Sequence, residues 1–420
     1  MTRSLALLTV AVAAFIVLWP PMYADGMPSP GRGRQSTRDR ERLCHQRLCH
    51  RAARSRPNRG RRAASKPPAV RAPSATPRLA LASGVAPSAE SPALTSGAAS
   101  AAGRTASRQQ LYWGAWLGSH LTGAEAPWDF TAVSTFEHEV GKSVSLLNFS
   151  SPFADCSVDP CEDYTFPWAE FDKIRAHGAI PFFSWNSGSY PVEVHQPNYT
   201  LASIIEGRHD AYLRRWAAKA RAWGHPFFLR FNWEMNGDWF PWSEGVNGNR
   251  AGEYVAAWRH VHDLFDAEGA RNVTWVWCPN VDVDDNMTDL THLYPGDGYV
   301  DWTGLDGYNW NQPWRTFETL FASTYGRISK LAPDKPMVVA ETGSTEVGGD
   351  KARWISAMFD SLPRFALVRA VLYFDKYDSA MDWPIETSPR AAAAFAAGIS
   401  DSSFSGNRFT SLATTKITPP

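Results

Sequence analysis

From Leu111 to about Ala397 the chain swings between short unbroken apolar runs and longer stretches where apolar residues return every third or fourth position. The runs are Tyr112–Gly118, Ser143–Phe149, Ala179–Trp185, Pro226–Asn232, Val273–Cys278, Asp301–Tyr308, Pro336–Ala340 and Ala370–Asp375. Continuous apolar character over so few residues predicts strands buried on both faces, as in a parallel sheet covered by helices. Between them, Ser203–Trp223 sets Ile205, Tyr212, Trp216, Ala220 and Trp223 at helical spacing, with Gly224 as a stop. Ala251–Glu268 repeats the design with Tyr254, Trp258, Val261, Leu264 and Phe265 before Gly269, and Trp354–Leu362 predicts a helix ahead of the eighth strand. Eight strands alternating with helices predict an α/β fold, a closed (β/α)8 TIM barrel. A doubly wound nucleotide-binding sheet would want a glycine-rich phosphate loop after its first strand, and Tyr-Trp-Gly-Ala-Trp-Leu-Gly is not one.

The N-terminal region follows other rules. Residues 1–26 carry Arg3, an apolar run from Leu5 to Trp19, Pro20-Pro21 and a small residue, Ala24. The run is shorter than the roughly 20 residues that cross a bilayer, so a signal peptide and secretion are expected, with an uncleaved N-terminal membrane anchor as the alternative. Residues 27–110 hold seventeen Lys and Arg against three acids, almost no aromatic residue and no apolar period. Such a segment cannot bury enough surface to offset its ordering entropy and is expected to be a disordered linker. The catalytic body is expected over 111–400, with 401–420 as a flexible C-terminal tail. The balance of 42 basic and 42 acidic residues hides this division: 24 basic against 38 acidic residues remain from Leu111 onward, a net charge of −14. An acidic body argues against a nucleic-acid partner. Cys156 and Cys161 flank a polar Ser-Val-Asp-Pro loop, and their spacing allows a small disulfide; Cys278 lies in an apolar strand. Cys44-His45 and Cys49-His50 form a near-repeat at a metal-compatible spacing, but within the linker composition. No metal or cofactor is expected, and the body is expected to be monomeric.

In (β/α)8 barrels the C-terminal strand ends carry the chemistry. In order these read Trp185-Asn186, Asn232-Trp-Glu-Met-Asn-Gly-Asp-Trp239, Pro279-Asn280, Asp306-Gly-Tyr-Asn-Trp310, Glu341-Thr-Gly343 and Asp375-Lys-Tyr377. Carboxylates, amides and flat aromatic faces at one rim suit a sugar ligand. Glycoside cleavage needs one carboxyl to protonate the leaving oxygen and a second to attack the anomeric carbon or activate water. Glu234 follows the fourth strand among Trp233, Trp239 and Trp242, where desolvation raises a carboxyl pKa. Glu341 ends the seventh after Val338-Val339-Ala340. Trp383, beyond the eighth strand, is a stacking platform by position.

The segment Arg230-Phe-Asn-Trp-Glu-Met-Asn-Gly-Asp-Trp-Phe-Pro-Trp242 resembles the acid/base signature of glycoside hydrolase family 26, best known for endo-β-1,4-mannanases. Tyr254–Arg259 with Asn272–Asn280, Tyr294–Trp310 and Val339–Gly343 continue the likeness, which spans roughly 111–397. The resemblance implies Glu234 as acid/base and Glu341 as nucleophile in a retaining, double-displacement mechanism. It also implies that Tyr308 hydrogen-bonds the nucleophile, that Trp239 lies near the cleavage point and that Arg230 supports the site from below. Trp185, Asn186, Trp233 and Trp310 complete the expected substrate-binding set.

Two positions depart from the family pattern. Trp233 stands where family mannanases usually carry His before the acid/base, and Asn186 where they often carry His after the third strand. The resemblance implies β-mannan as substrate, with mixed-linkage β-glucan or β-1,3-xylan as alternatives within the family. A carbohydrate-binding barrel without catalysis is the alternative from another class, and the presence of both glutamates argues against it. Asp282, Asp284, Asp285 and Asn286 superficially resemble a calcium loop but lack its glycine and distal glutamate.

Overall fold

The structure is a computed structural model that describes residues 109–282, 287–310, 313–378, 381–413 and 415–420. The segments 1–26 and 27–108, the Cys44 and Cys49 pair, and Asp284, Asp285 and Asn286 lie outside the described residues.

Eight parallel strands close into a barrel: β1 (Tyr112–Leu117), β2 (Leu146–Asp155), β4 (Ile180–Tyr190), β5 (Phe227–Phe231), β6 (Val273–Trp277), β7 (Trp302–Asn309), β8 (Met337–Ser344) and β9 (Val368–Asp375). Each pairs with the next, and β1 pairs with both β2 and β9 to seal the cylinder. All eight expected strands are present. The two-residue β3 (Glu162–Asp163) pairs antiparallel with the end of β2, and the Cys156–Cys161 disulfide closes the loop between them.

The helices pack outside, among them α1 (Phe130–Val140), α2 (Trp168–His177), α3 (Leu201–Ile205), α4 (Asp210–Trp223), α5 (Glu253–Ala267), α6 (Leu290–Leu293), α7 (Phe317–Leu331), α8 (Lys351–Ser361) and α9 (Pro389–Ile399). In α4, Tyr212, Trp216, Ala220 and Trp223 are buried, the face that the spacing predicts. One helix was expected over 203–223 and two are found. Gly207, at φ +77°, turns the chain out of α3, and α4 restarts at Asp210.

The largest correction concerns residues 401–420. Expected as a flexible tail, they pack under the N-terminal end of the barrel. Phe404, Phe409 and Ile417 are buried there. Leu111 bridges to Phe404, the Trp302 indole donates to the Ile417 carbonyl at 2.9 Å, and the Ile417 amide donates to Thr274 Oγ1 at 2.8 Å. Lys416 pairs with Asp301. The strand starts bring Tyr112, Trp275 and Trp302 to this end, and the segment is what covers them.

Candidate active site

The chain leaves β5 in a tight turn. Asn232 and Glu234 both sit at positive φ, +45° and +53°, a region that non-glycine residues enter only when their surroundings hold them there. Four bonds do so. The Asn232 amide donates to the Trp185 carbonyl at 3.0 Å and the Glu234 amide to the Cys278 carbonyl at 2.7 Å. The Tyr254 hydroxyl donates to the Asn232 carbonyl at 3.1 Å, and the Trp242 indole to the Trp233 carbonyl at 2.7 Å. The turn aims the Glu234 carboxyl across the barrel mouth.

There Glu234 meets Glu341, which β8 delivers in a different setting. One oxygen each of Glu234, Asp306 and Glu341 lie within 4.8 Å of one another. The cation between them is the Arg230 guanidinium, with no exposed surface. It donates to Asp306 at 2.8 Å, to Glu341, and through Nε to Ser184 at 2.9 Å. Burial works against its charge, but Asp306 and Glu341 outweigh this and hold the proton above the ordinary arginine range. The Tyr308 hydroxyl donates to the other Glu341 oxygen, and burial, then the charge of Glu341, raise its pKa so that it stays a donor. Glu341 therefore accepts from a cation on one oxygen and a phenol on the other.

Among the described residues no cation is bonded to Glu234. Its Oε2 accepts from the Trp239 indole at 2.8 Å and its Oε1 from the Asn280 amide at 2.6 Å. Burial, followed by the nearby charge of Glu341, raises its pKa to about 7, against the lowering effect of Trp239, Arg230 and Asn280. Two glutamates of one chemistry are thus placed in unlike surroundings.

The other expected site residues divide. Arg230 lies over the Trp233 ring, its guanidinium carbon 4.8 Å from the ring centroid, with Phe240 and Trp242 against the indole. Asn186 reaches the same region and accepts from the Gly188 amide at 3.0 Å. Trp383 packs with Trp116 and Phe374, and Tyr308 and Trp310 lie against this group; Tyr308 and Trp383 are 4.9 Å apart. These surfaces gather at the mouth. Trp185 does not. It is fully buried and stacks on Trp216 of α4 at 4.5 Å. Side chains alternate along β4, so Ser184 and Asn186 turn inward while Trp185 turns to the helix layer. Arg230, expected among the substrate-binding residues, is likewise sealed below the two glutamates and acts on the site through Glu341 and Asp306.

Sequence reasoning missed Asn280 and Asp306 as site residues. Both stand at strand ends beside the motifs it used, and that position was the available signal. It also missed His120, which bridges Glu386 at 3.2 Å and Asp375 at 3.4 Å across the β1–β9 seam. Burial disfavours its charge, but the two carboxylates outweigh this and lift its pKa to about 9.

Residues 174–350 match the sequence profile described as Glycosyl hydrolase family 26. Endoglucanase H of Acetivibrio thermocellus is 34% identical over 295 residues, 67% of this chain and 29% of that protein. A mannan endo-1,4-beta-mannosidase of Bacillus subtilis is 28% identical over 233 residues, 52% of this chain and 57% of that protein. The chain spans less than two thirds of the length of either relative. The catalytic domain of an endo-beta-1,4-mannanase from Bacillus sp. JAMB-750 has the same fold, with a TM-score of 0.55 at 20% identity over 73% of this chain and 91% of that one.

Proposed function

The chain belongs to glycosyl hydrolase family 26, and from that premise we propose that it is an exported retaining endo-β-glycosidase with Glu341 as nucleophile and Glu234 as acid/base. The observation that carries this reading is the glutamate pair itself, with oxygens within 4.8 Å of one another at the barrel mouth. Oxygens this close suit direct attack on the sugar better than the arrangement of an inverting pair, whose carboxyl groups stand roughly 6.5–9.5 Å apart with a water between them.

In the first step a Glu341 oxygen attacks the anomeric carbon as the glycosidic bond breaks. Glu234 gives its proton to the departing oxygen. The product is a glycosyl ester on Glu341 and a shortened polymer with a free hydroxyl. In the second step Glu234, now a carboxylate, takes a proton from water, which attacks the same carbon and releases Glu341. Forming the ester removes the Glu341 charge that raises the Glu234 pKa, so the acid of step one becomes a readier base for step two. Arg230 and Tyr308 hold Glu341 in line and receive its charge back when the ester breaks.

For the substrate, the mouth favours a β-glucan. Recognising mannose means aiming a hydrogen-bonding group at its axial 2-hydroxyl, and a site that does so rejects the wrong sugar far more strongly than an apolar wall does. Trp233 offers a ring packed on Arg230, Phe240 and Trp242, an apolar wall in place of the family's His. The relative that aligns along 67% of the chain is an endoglucanase. β-Mannan is the second reading, favoured by several mannan endo-1,4-beta-mannosidase relatives and by the Asn186 amide at the mouth.

The test is purified protein on barley β-glucan, galactomannan and β-1,3-xylan, with a 2-fluoro glycoside to trap the ester. Release of reducing ends with a label on Glu341 is the expected result. A label elsewhere, or inverted product, overturns the mechanism. A kcat/KM on galactomannan above that on glucan overturns the substrate reading alone.

A further inference from the structure

The two donors on Glu234 are held very differently. Trp239 is half-buried and reaches the carboxyl through one bond, at 2.8 Å. Asn280 hangs from a backbone that is anchored on two flanks. Its backbone amide donates to Asn236 Oδ1 at 2.9 Å, and Asn236 Nδ2 donates back to the Asn280 carbonyl at 2.9 Å. The Asn236 side chain thus spends both its polar ends on one residue of the neighbouring strand end. On the other flank, the Asp306 amide donates to the Pro279 carbonyl at 3.0 Å and the Val281 amide to the Asp306 carbonyl at 2.8 Å, so β7 grips the same peptide. The Glu234 backbone is tied to this strand end too, through the Cys278 carbonyl. Both Asn236 and Asn280 are buried.

We propose that Asn280, clasped by Asn236, is the positioning residue that holds Oε1 of Glu234 and sets how readily this carboxyl gives up and retakes its proton. The inference rests on the acid/base reading of Glu234. A residue that alternates between acid and base must not be fixed in either state. A cation in this place would hold the anion permanently, and an apolar neighbour would leave burial unopposed. A carboxamide N–H does neither: it favours the charged form by a hydrogen bond but never titrates. The bond is short, 2.6 Å, and the strand end that carries its donor is pinned through the backbone by Asn236 and β7. The lowering effect of Asn280 on Glu234 has the sign this role requires.

The experiment is the pH profile of kcat/KM on barley β-glucan, with galactomannan as second polymer, in folded full-length variants checked by melting temperature. Asn280→Ala removes the donor and is expected to move the alkaline limb up by about half to one pH unit, with kcat down about tenfold and KM within about twofold. Asn280→Asp adds a like charge and is expected to move the limb further. Asn236→Ala, which does not touch Glu234, is expected to move it in the same direction by less. Turnover of a 2,4-dinitrophenyl β-glycoside, whose leaving group needs no proton in the first step, should fall least. A wild-type limb in the folded Asn280 variants overturns the proposal, and if Asn236→Ala fails to fold the Asn280 pair still decides it. Glu234→Gln separates the two layers. If it keeps polymer turnover, the acid/base reading falls; if it is inactive while the Asn280 variants keep the wild-type limb, only the clasp falls.

Discussion

The two ends of this barrel are built on opposite terms. At the C-terminal mouth, three carboxylates crowd one guanidinium, and two non-glycine residues sit at positive φ. At the N-terminal base, the strand starts are covered by Phe404, Phe409 and Ile417, and the polar contacts are a few side-chain-to-backbone bonds and the Lys416–Asp301 pair. One end bears strain and like-charge crowding that its neighbours must over-determine; the other contributes burial with little geometric demand. The contrast teaches that activity and stability are separable here by position.

That separation can be broken from either side. The largest effect is expected from Glu341→Ala, which should cost roughly ten-thousandfold or more in kcat while leaving the melting temperature near or above wild type, since a crowded charge is removed. A variant that unfolds instead would mean that the mouth also holds up the fold. Next, truncation after Asp401 strips three buried side chains from the base. At about 1.5–3 kcal/mol each before the entropy regained, it should destabilise by about 3–5 kcal/mol in urea denaturation, with kcat of the remaining folded protein unchanged. Loss of kcat at full folding would tie the base to the chemistry. Trp185→Leu tests the same boundary from within one strand: a stability loss of about 2 kcal/mol with unchanged KM fits its place against α4, whereas a raised KM would return it to the substrate.

Smaller effects sharpen the account of the mouth. The first step needs Glu234 protonated, and its pKa is raised to about 7. Polymer kcat/KM should therefore fall as pH rises above about 7, approaching about tenfold per unit. A flat profile through pH 9 would remove Glu234 from the acid role. Trp233→His is expected to change the glucan-to-mannan ratio of kcat/KM toward mannan by up to about tenfold, or about 1.4 kcal/mol. No change in that ratio would place discrimination elsewhere in the cleft.

Much of the barrel was legible in the chain because its signal is local. Each strand is a short apolar run, and each long helix shows its period within a dozen residues. The glutamates were legible for a similar reason: they stand at strand ends, next to a motif of unusual composition. The failures have physical causes. A strand covered on both faces carries no alternation, so nothing in Phe182-Phe183-Ser184-Trp185-Asn186 says which residue faces inward. Asn280 is held by a neighbour, Asn236, that is 44 residues earlier in sequence. The base segment has no period at all. Phe404, Phe409 and Ile417 are separated by mostly small and polar residues, and become a hydrophobic unit only against a surface that must form first.

The closing of the cylinder also governs when it can exist. β1 finds its second partner only in β9, and Tyr112 donates to the carbonyl of Thr418, 306 positions later. Chain closure on that scale belongs to slow folding reactions, in which long loops are ordered before the contacts that reward them. A growing chain could not finish this barrel until β9 and the segment through Thr418 had been released. Until then it would carry an open, unpaired sheet edge, and keeping that edge from other chains is a task for the cell rather than for the sequence.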